Sequence, residues 1–393
     1  MQYVTAGESH GPKLTTIVTG VPAGLNLDEQ SIASDMRRRQ SGYGRGGRQI
    51  IETDTATITS GVRFGKTLGS PISIDIVNKD WKNWTEKMAA FGNRPDECSR
   101  EVTPRPGHAD IVGFMKTNTD DCRDILERAS ARETAARVAA GAIARELLAE
   151  VGVEVFSWVK SIADVATDDS CLIDYTNNEI PSDLLARIEF SEVRCPDDEV
   201  TQCMIKRIDE AKEAGETCGG TFRVVATGLV PGLGSYSEAT SRLTSKLAAS
   251  IYSIPAIKGL EFGAGFAGVS QLGTRFHDEI ALLSGSFVRK TNNAGGLEGG
   301  MTNGMPLIIT AAMKPIPTCM NPLETINLDT LEVAKSSKER SDVCAVPAAA
   351  VVAEAEVSLV LADAYIEMFG NTCMSDLKAN LKHYKDRLSV ISR

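Results

Sequence analysis

Two of the chain's four histidines stand where a proton could be moved. His10 lies in the turn Gly7-Glu8-Ser9-His10-Gly11-Pro12, and His108 follows Pro104-Arg105-Pro106-Gly107. Prolines and a glycine fix the backbone ahead of His108, so that imidazole is presented from a stiff loop. Imidazole changes charge near neutral pH, which makes both residues candidates for general acid–base work. Each also has a plain reading, His10 as a turn residue and His108 as a packed loop residue.

The other chemically loaded stretch runs from Arg37 to Arg48, with five arginines and four glycines in a protein of net charge -10. Glycine allows close approach of the backbone to a ligand, and guanidinium offers a planar fork matched to phosphate or carboxylate. A solvated basic loop or a nucleic-acid patch has the same composition. The pI near 5.1 argues against nucleic acid as the main partner. Arg128 and Arg132, four apart with Ser130 between them, share a face at the start of an expected helix. Positive charge there opposes the helix dipole and calls for a bound anion or for nearby acids such as Asp124 and Glu127.

These residues must be positioned by a regular frame. Strand, turn and strand are expected over residues 1–20, then a helix over Glu29–Gln40 capped by Asp28. That helix ends in Arg37-Arg38-Arg39, where its dipole favours cations; Arg45 and Arg48 lie beyond it. Strand patterns cover Ile50–Thr59 and Ile72–Val77, and Trp81 and Trp84 fall in a polar surface excursion. An Ala-rich helix is expected over Asp124–Glu150, others near Asp198–Ala214 and Ser235–Ser253, and strands over Thr221–Leu229 and Leu260–Phe266. The glycine loop Thr291–Gly304 is either a surface turn or a cofactor-hugging loop. It leads to strand Pro306–Ala312 and to Lys314-Pro315-Ile316-Pro317-Thr318. Arg340-Ser341-Asp342 precedes a second Ala-rich helix, Val343–Phe369, and a charged helical tail follows. Arginine, serine and a long Ala-rich helix thus occur twice, which implies an approximate internal duplication. No linker or short-period repeat interrupts the chain, so residues 1–393 read as one domain.

Composition narrows the function classes. Hydrophobic content of 42% and charged content of 24% suit a globular protein. No apolar run is long enough to span a membrane, and the N-terminus has no basic and apolar leader pattern. Nine scattered cysteines without C-x-x-C spacing fit reduced thiols in the cytoplasm and no metal site. The phosphate-loop motif G-x-x-x-x-G-K-[ST] is absent, and Gly42–Gly47 follows a helix where a Rossmann loop would follow a strand.

Five ordered segments resemble those of the chorismate synthase family. They are Gly7-Glu8-Ser9-His10-Gly11, Arg37–Arg48, Arg105-Pro106-Gly107-His108-Ala109-Asp110, Arg128-Ala129-Ser130-Ala131-Arg132-Glu133-Thr134 and Arg340-Ser341-Asp342. The resemblance implies an α+β fold, a β-α-β sandwich with the long Ala-rich helices between antiparallel sheets, assembled as a homotetramer. It implies a lyase that converts 5-enolpyruvylshikimate 3-phosphate to chorismate and phosphate by 1,4-trans elimination, with reduced FMN required and no net redox change. By the same resemblance Arg39, Arg45, Arg105, Arg132 and Arg340 hold the substrate's phosphate and carboxylates, with Ser9 beside them. His10 protonates the departing phosphate, His108 the reduced flavin, and Asp342 relays the proton taken from the substrate ring. Arg128, Ala129, Ser130, Gly299, Lys314, Pro315, Ile316, Pro317, Thr318 and Arg340 match flavin-contacting segments. Ala249 and Ser250 match another, but many relatives have Gln-Ala there, which removes a side-chain contact. NADPH enters only indirectly, through an outside flavin reductase. A flavin- and NADPH-dependent oxidoreductase and a non-catalytic anion-binding scaffold are the competing readings.

Overall fold

The computed structural model describes residues 1–47, 53–169, 172, 180–283, 286–339 and 341–391. Arg48, Arg340 and the start of the strand expected over Ile50–Thr59 lie outside these. Alternation of polar and β-branched residues makes β1 (Gln2–Ala6) and β2 (Lys13–Thr19), which pair antiparallel with Val4 opposite Ile17. Helix α1 (Glu29–Gln40) starts where the Asp28 side chain accepts a hydrogen bond from the Gln30 N–H. After β3 (Thr57–Ile58), strand β4 (Ile72–Val77) buries Ile72, Ile74 and Ile76 on one face. The first sheet has the order β1-β2-β4-β3, all antiparallel.

Helix α2 (Asp110–Thr117) follows, and then the expected long helix proves to be broken. It comprises α3 (Arg123–Ala129), a 3-10 turn over Ala131–Glu133 and α4 (Thr134–Glu150). Ser130 leaves helical geometry at φ -65° and ψ 141°, and its hydroxyl accepts from the Arg132 N–H. A serine side chain that competes with the backbone in this way ends one helix and caps the next turn. Arg128 and Arg132 therefore do not share a face. Arg128 donates to the carbonyls of Thr5 and Gly7, while Arg132 donates to Asn78 and Asp54.

The later elements that build the frame are β5 (Glu154–Ile162), β6 (Val165–Ala166), α5 (Asp198–Glu213), β7 (Gly220–Thr227), α6 (Leu243–Tyr252), β8 (Ile257–Phe262), β9 (Leu307–Met313), α7 (Val346–Phe369) and α8 (Met374–Ile391). The helix expected from Ser235 begins only at Leu243. Ahead of it, Ser235 accepts from the Ser237 N–H and holds a turn instead. The second sheet runs β8-β9-β7-β5-β6, again antiparallel. Helix α4 packs on β2 and β4, α7 packs on β5 and β7, and the two helices pack on each other. The mixed composition makes the fold α+β. Among the described residues no helix is long and apolar enough to cross a membrane.

α7 buries almost all of its residues, as a helix apolar on every side must. Its buried Glu354 is an exception with a partner set: Arg38 donates to both carboxylate oxygens at 2.8 Å, and Arg194 and Ser157 add 3.2 and 2.6 Å contacts. Burial pushes this carboxyl up, but Arg38, Arg194 and Arg145 outweigh it and hold it at about 2. One arginine of the basic run thus serves the core. Between the helices, Gly141 faces Ala355 so closely that a Cβ on it would lie 2.3 Å from the Ala355 Cβ and 2.6 Å from its Cα. Gly141→Ala gains ~1 kcal/mol of helix propensity, but a collision with backbone cannot be relieved by a rotamer. We expect a net loss of about 1–3 kcal/mol from overpacking, measured as a lower urea midpoint at unchanged slope; a stabilised variant would contradict this helix contact.

Candidate active site

A cavity of ≈ 570 Å³ opens where the end of α1, the segment with Arg45 and Gly46, the α3–α4 break, the 104–109 turn, the 313–318 turn and the start of α7 converge. That volume suits a ligand of cofactor size or a cofactor with a small substrate. Four arginines line it, Arg39, Arg45, Arg105 and Arg132, all nearly buried. Gly46 lets the loop lie against the 341–342 segment: a Cβ there would meet the Ser341 carbonyl oxygen at 2.8 Å. In return Asp342 accepts from the Gly46 N–H at 2.6 Å and pairs with Arg45 at 2.8 Å. Arg45 thus has a partner, which its position in the sequence did not reveal.

Arg39 and Arg132 share one carboxylate. Asp54 pairs with the Arg39 guanidinium at 3.2 Å and also with Arg132, and its side chain is wholly buried. Arg39 donates further to Thr134 and to the Ala131 carbonyl, each at 3.1 Å. Burial lowers the Arg39 pKa to about 10; Asp54 opposes that, while Arg132 and Arg45 add to it. The pocket is crowded with positive charge. Burial and Lys258 also pull the Lys314 ammonium down, and Lys314 lines the cavity while donating to the Gly107 carbonyl at 2.6 Å.

His108 sits on the cavity wall with Asp110 behind it. Asp110 is fully buried and also accepts from Arg105, through Nε at 2.9 Å and the backbone N–H at 3.1 Å. Burial pushes this carboxyl up, but the bonds from His108 and Arg105 prevail and keep it well below the usual range. Nδ1 lies against both the ionised Asp110 and the Arg105 guanidinium, the latter at 3.0 Å; the shorter carboxylate contact makes that nitrogen the donor and leaves Nε2 for the pocket. Arg105 is fixed in turn by Thr318 at 3.1 Å.

Of the residues expected at one site, the cavity gathers Arg39, Arg45, Arg105, His108, Ala129, Ser130, Arg132, Lys314, Ile316, Pro317, Thr318 and Asp342. Ser9, His10, Arg128, Ala249, Ser250, Gly299 and Pro315 are outside its lining. His10 is tied to α3: its Nδ1 contacts both Glu127 oxygens at 2.9 and 3.0 Å, and its ring stacks on Trp84 at 3.9 Å. Trp84, expected in a surface excursion, is thus tied to a candidate site residue. The glycine loop folds into a small hairpin, Leu297–Glu298 with Met301–Thr302, whose turn holds Gly299.

Sequence reasoning passed over Asp54, Asn78 and Glu127. Asn78 is buried and joins the two regions, donating to the carbonyls of Glu8 and Gly11 and accepting from Arg132 at 3.0 Å. Nothing in its neighbours marks it. Glu127, one residue before Arg128, was visible only as a charge near a helix start. Asp110→Asn removes the acceptor that sets the His108 tautomer. We expect turnover to fall at least about tenfold with little change in KM; parent-like turnover would remove Asp110 from the site.

The chain matches the family model described as "Chorismate synthase" over residues 1–366. It is 51% identical over 384 residues to "Chorismate synthase" of Syntrophotalea carbinolica, covering 98% of this chain and 97% of that protein. It is 49% identical over 388 residues to the protein of the same name in Aquifex aeolicus, with 98% and 97% covered. A solved structure titled "Crystal Structure of Chorismate Synthase" superposes with a TM-score of 0.79 at 40% identity, covering 99% of this chain and 98% of that one.

Proposed function

The chain belongs to the chorismate synthase family, and we propose that the arginine-lined cavity is where its elimination takes place. The enzyme is a lyase of the shikimate pathway; its substrate, 5-enolpyruvylshikimate 3-phosphate, carries a phosphate and two carboxylates. The observation that carries the reading is a buried cavity in which four arginines share three carboxylates, Asp54, Asp110 and Asp342. Such a site is short of negative charge, and a multiply anionic ligand supplies it.

The residues also fit reduced FMN. Lys258 and Lys314 offer cations, the Arg45 Nε is buried without a partner among the described residues, and Ile254, Met313, Ile316 and Val352 give an apolar wall for a flat ring. Ala129, Ser130, Lys314, Ile316, Pro317 and Thr318 would hold it, with Arg128, Ala249, Ser250, Gly299, Pro315 and Arg340 as the outer members of the set. When bound, reduced flavin supplies the electron density that eases loss of phosphate from a carbon not adjacent to the departing proton, with no net redox change.

The chain's own part is positioning and proton handling. Arg39, Arg45, Arg105 and Arg132, with Arg340, orient the anionic groups and stabilise charge on the leaving phosphate. His108 holds a proton at Nε2 on the cavity wall. His10, with Ser9 beside it, delivers a proton to the phosphate, and Asp342 helps relay the proton taken from the ring. We read residues 1–393 as one catalytic domain and a β-α-β sandwich with an approximate duplication; the placement of α4 and α7 between the two sheets supports this. A cytoplasmic homotetramer is the proposed form. Exposed Phe266, Val269, Leu272, Ile280, Leu282 and Phe287 give an apolar surface that assembly would cover. Flavin reduction by NADPH is assigned to a separate reductase.

The test is an anaerobic mixture of protein, substrate and reduced FMN. Phosphate should be released while the flavin stays reduced; net flavin oxidation would make the protein an oxidoreductase, and no change would leave a scaffold. In the same assay His108→Ala should cut turnover about 10²–10³-fold, and a near-normal rate would exclude His108 from the chemistry.

A further inference from the structure

We propose that Glu127 is the positioning residue of His10, fixing its Nδ1–H tautomer so that Nε2 is the nitrogen that transfers the proton. This rests on the reading of His10 as the acid for the leaving phosphate. The geometry is closed on several sides. Glu127 meets Nδ1 with both oxygens, and the same carboxylate accepts from the His10 backbone N–H at 2.8 Å. Backbone and ring are therefore held by one side chain that is only 1% exposed. Trp84 covers the ring face at 3.9 Å, which stops rotation about the Cβ–Cγ bond. Among the described residues Nε2 has no protein partner, which leaves it for a ligand.

Glu127 is itself fixed. Arg123, one turn earlier on α3, donates to it at 3.0 Å, also lies over the Trp84 ring, and pairs with Glu339 at 3.2 Å. Glu339 lines the arginine cavity. The run Glu339–Arg123–Glu127–His10 thus links the cavity lining to the histidine. His108 is built alike: a buried carboxylate on Nδ1, with an arginine on that carboxylate. Burial pushes the Glu127 carboxyl up, but His10 and Arg123 outweigh it and keep it ionised. An ionised carboxylate can only accept, so Nδ1 must be the donor.

In the transfer, the Nε2–H bond of the imidazolium breaks as the C–O bond to phosphate breaks. The proton goes to the phosphate oxygen, and the C–O electron pair leaves with that oxygen. The pair of the substrate ring's C–H bond, left as its proton is removed toward Asp342, becomes a new double bond, and the existing double bond shifts to the carbon that lost phosphate. Neutral imidazole remains with Nδ1–H still on Glu127, which neither gains nor loses a proton. The ring is reprotonated from water between turnovers.

Four histidines make selective ¹⁵N labelling of the full chain practicable, with His10→Ala to assign the signal. Unprotonated imidazole at high pH should show His10 with Nδ1 protonated; an Nε2–H signal would overturn the proposal without any Glu127 variant. Glu127→Gln should lower kcat about 10–100-fold, part of the 10²–10⁴ that a positioned acid contributes. KM should stay unchanged, the Nδ1–H tautomer should lose its dominance, and Glu127→Asp should recover part of kcat. If His10→Ala is impaired but Glu127→Gln turns over like the parent, the positioning role is wrong and the reading of His10 stands. If His10→Ala itself turns over like the parent, that reading fails and this inference with it.

Discussion

Positive charge held out of water is the constraint on which the structure turns. Arg39, Arg45, Arg105 and Arg132 would each cost several kcal/mol if buried alone. The fold meets that cost with Asp54, Asp110 and Asp342, one carboxylate fewer than the guanidiniums. Lys258, Lys314 and Glu339 also line the cavity, and cations stay in excess, which favours an anionic ligand. Sharing Asp54 between two arginines keeps the chain folded while leaving the cavity electrostatically incomplete. Ion pairs of this sort add little net stability compared with apolar packing, but they fix where the forks point.

The frame around the cavity follows from that demand. The four groups come from segments far apart in sequence, so the elements carrying them must be pinned tightly. Arg38 does this for the end of α1 by joining Glu354 in the middle of α7, and Gly141 lets α4 and α7 lie close enough to act as one block. The break at Ser130 then turns Arg132 inward while α4 continues the core. Adjacent arginines on α1 do opposite jobs, Arg38 in a satisfied core network and Arg39 in the underpaired cavity. A one-residue step on a helix turns the side chain by about 100°, from 3.6 residues per turn, which is enough to separate the two.

Much of this was legible in the sequence wherever the signal was local. The Asp28 cap, the strands Gln2–Ala6 and Ile72–Val77 and the Ala-rich helix up to Phe369 follow from periodicity and end chemistry. The arginines and His108 were legible because clustered charge and a Pro-Gly turn are uncommon in a core. The break at Ser130 was not, because alanines on either side have high helix propensity and one serine is only mildly unfavourable; a tertiary demand on Arg132 decided it. Asp54, Asn78 and Glu127 were not legible either, since an acid or amide takes its meaning from a partner tens or hundreds of residues away. The stacking of Trp84 on His10 is of the same kind: 74 positions separate them, and a tryptophan in a polar run reads as surface.

The position of His10 outside the cavity lining has a physical rationale within this electrostatic scheme. A protonated imidazole near four guanidiniums needs a carboxylate of its own, as His108 has in Asp110. His10 has the Glu127 carboxylate, while Leu126 and Ala129 of the same helix line the cavity. Asn78 still ties the His10 turn to Arg132, so the two regions cannot drift apart. Anion capture and proton delivery make opposed demands, one for unbalanced positive charge and the other for a site where an added proton is tolerated. One short helix serves both, lending Leu126 and Ala129 to the cavity lining and the Glu127 carboxylate to the histidine within a single turn.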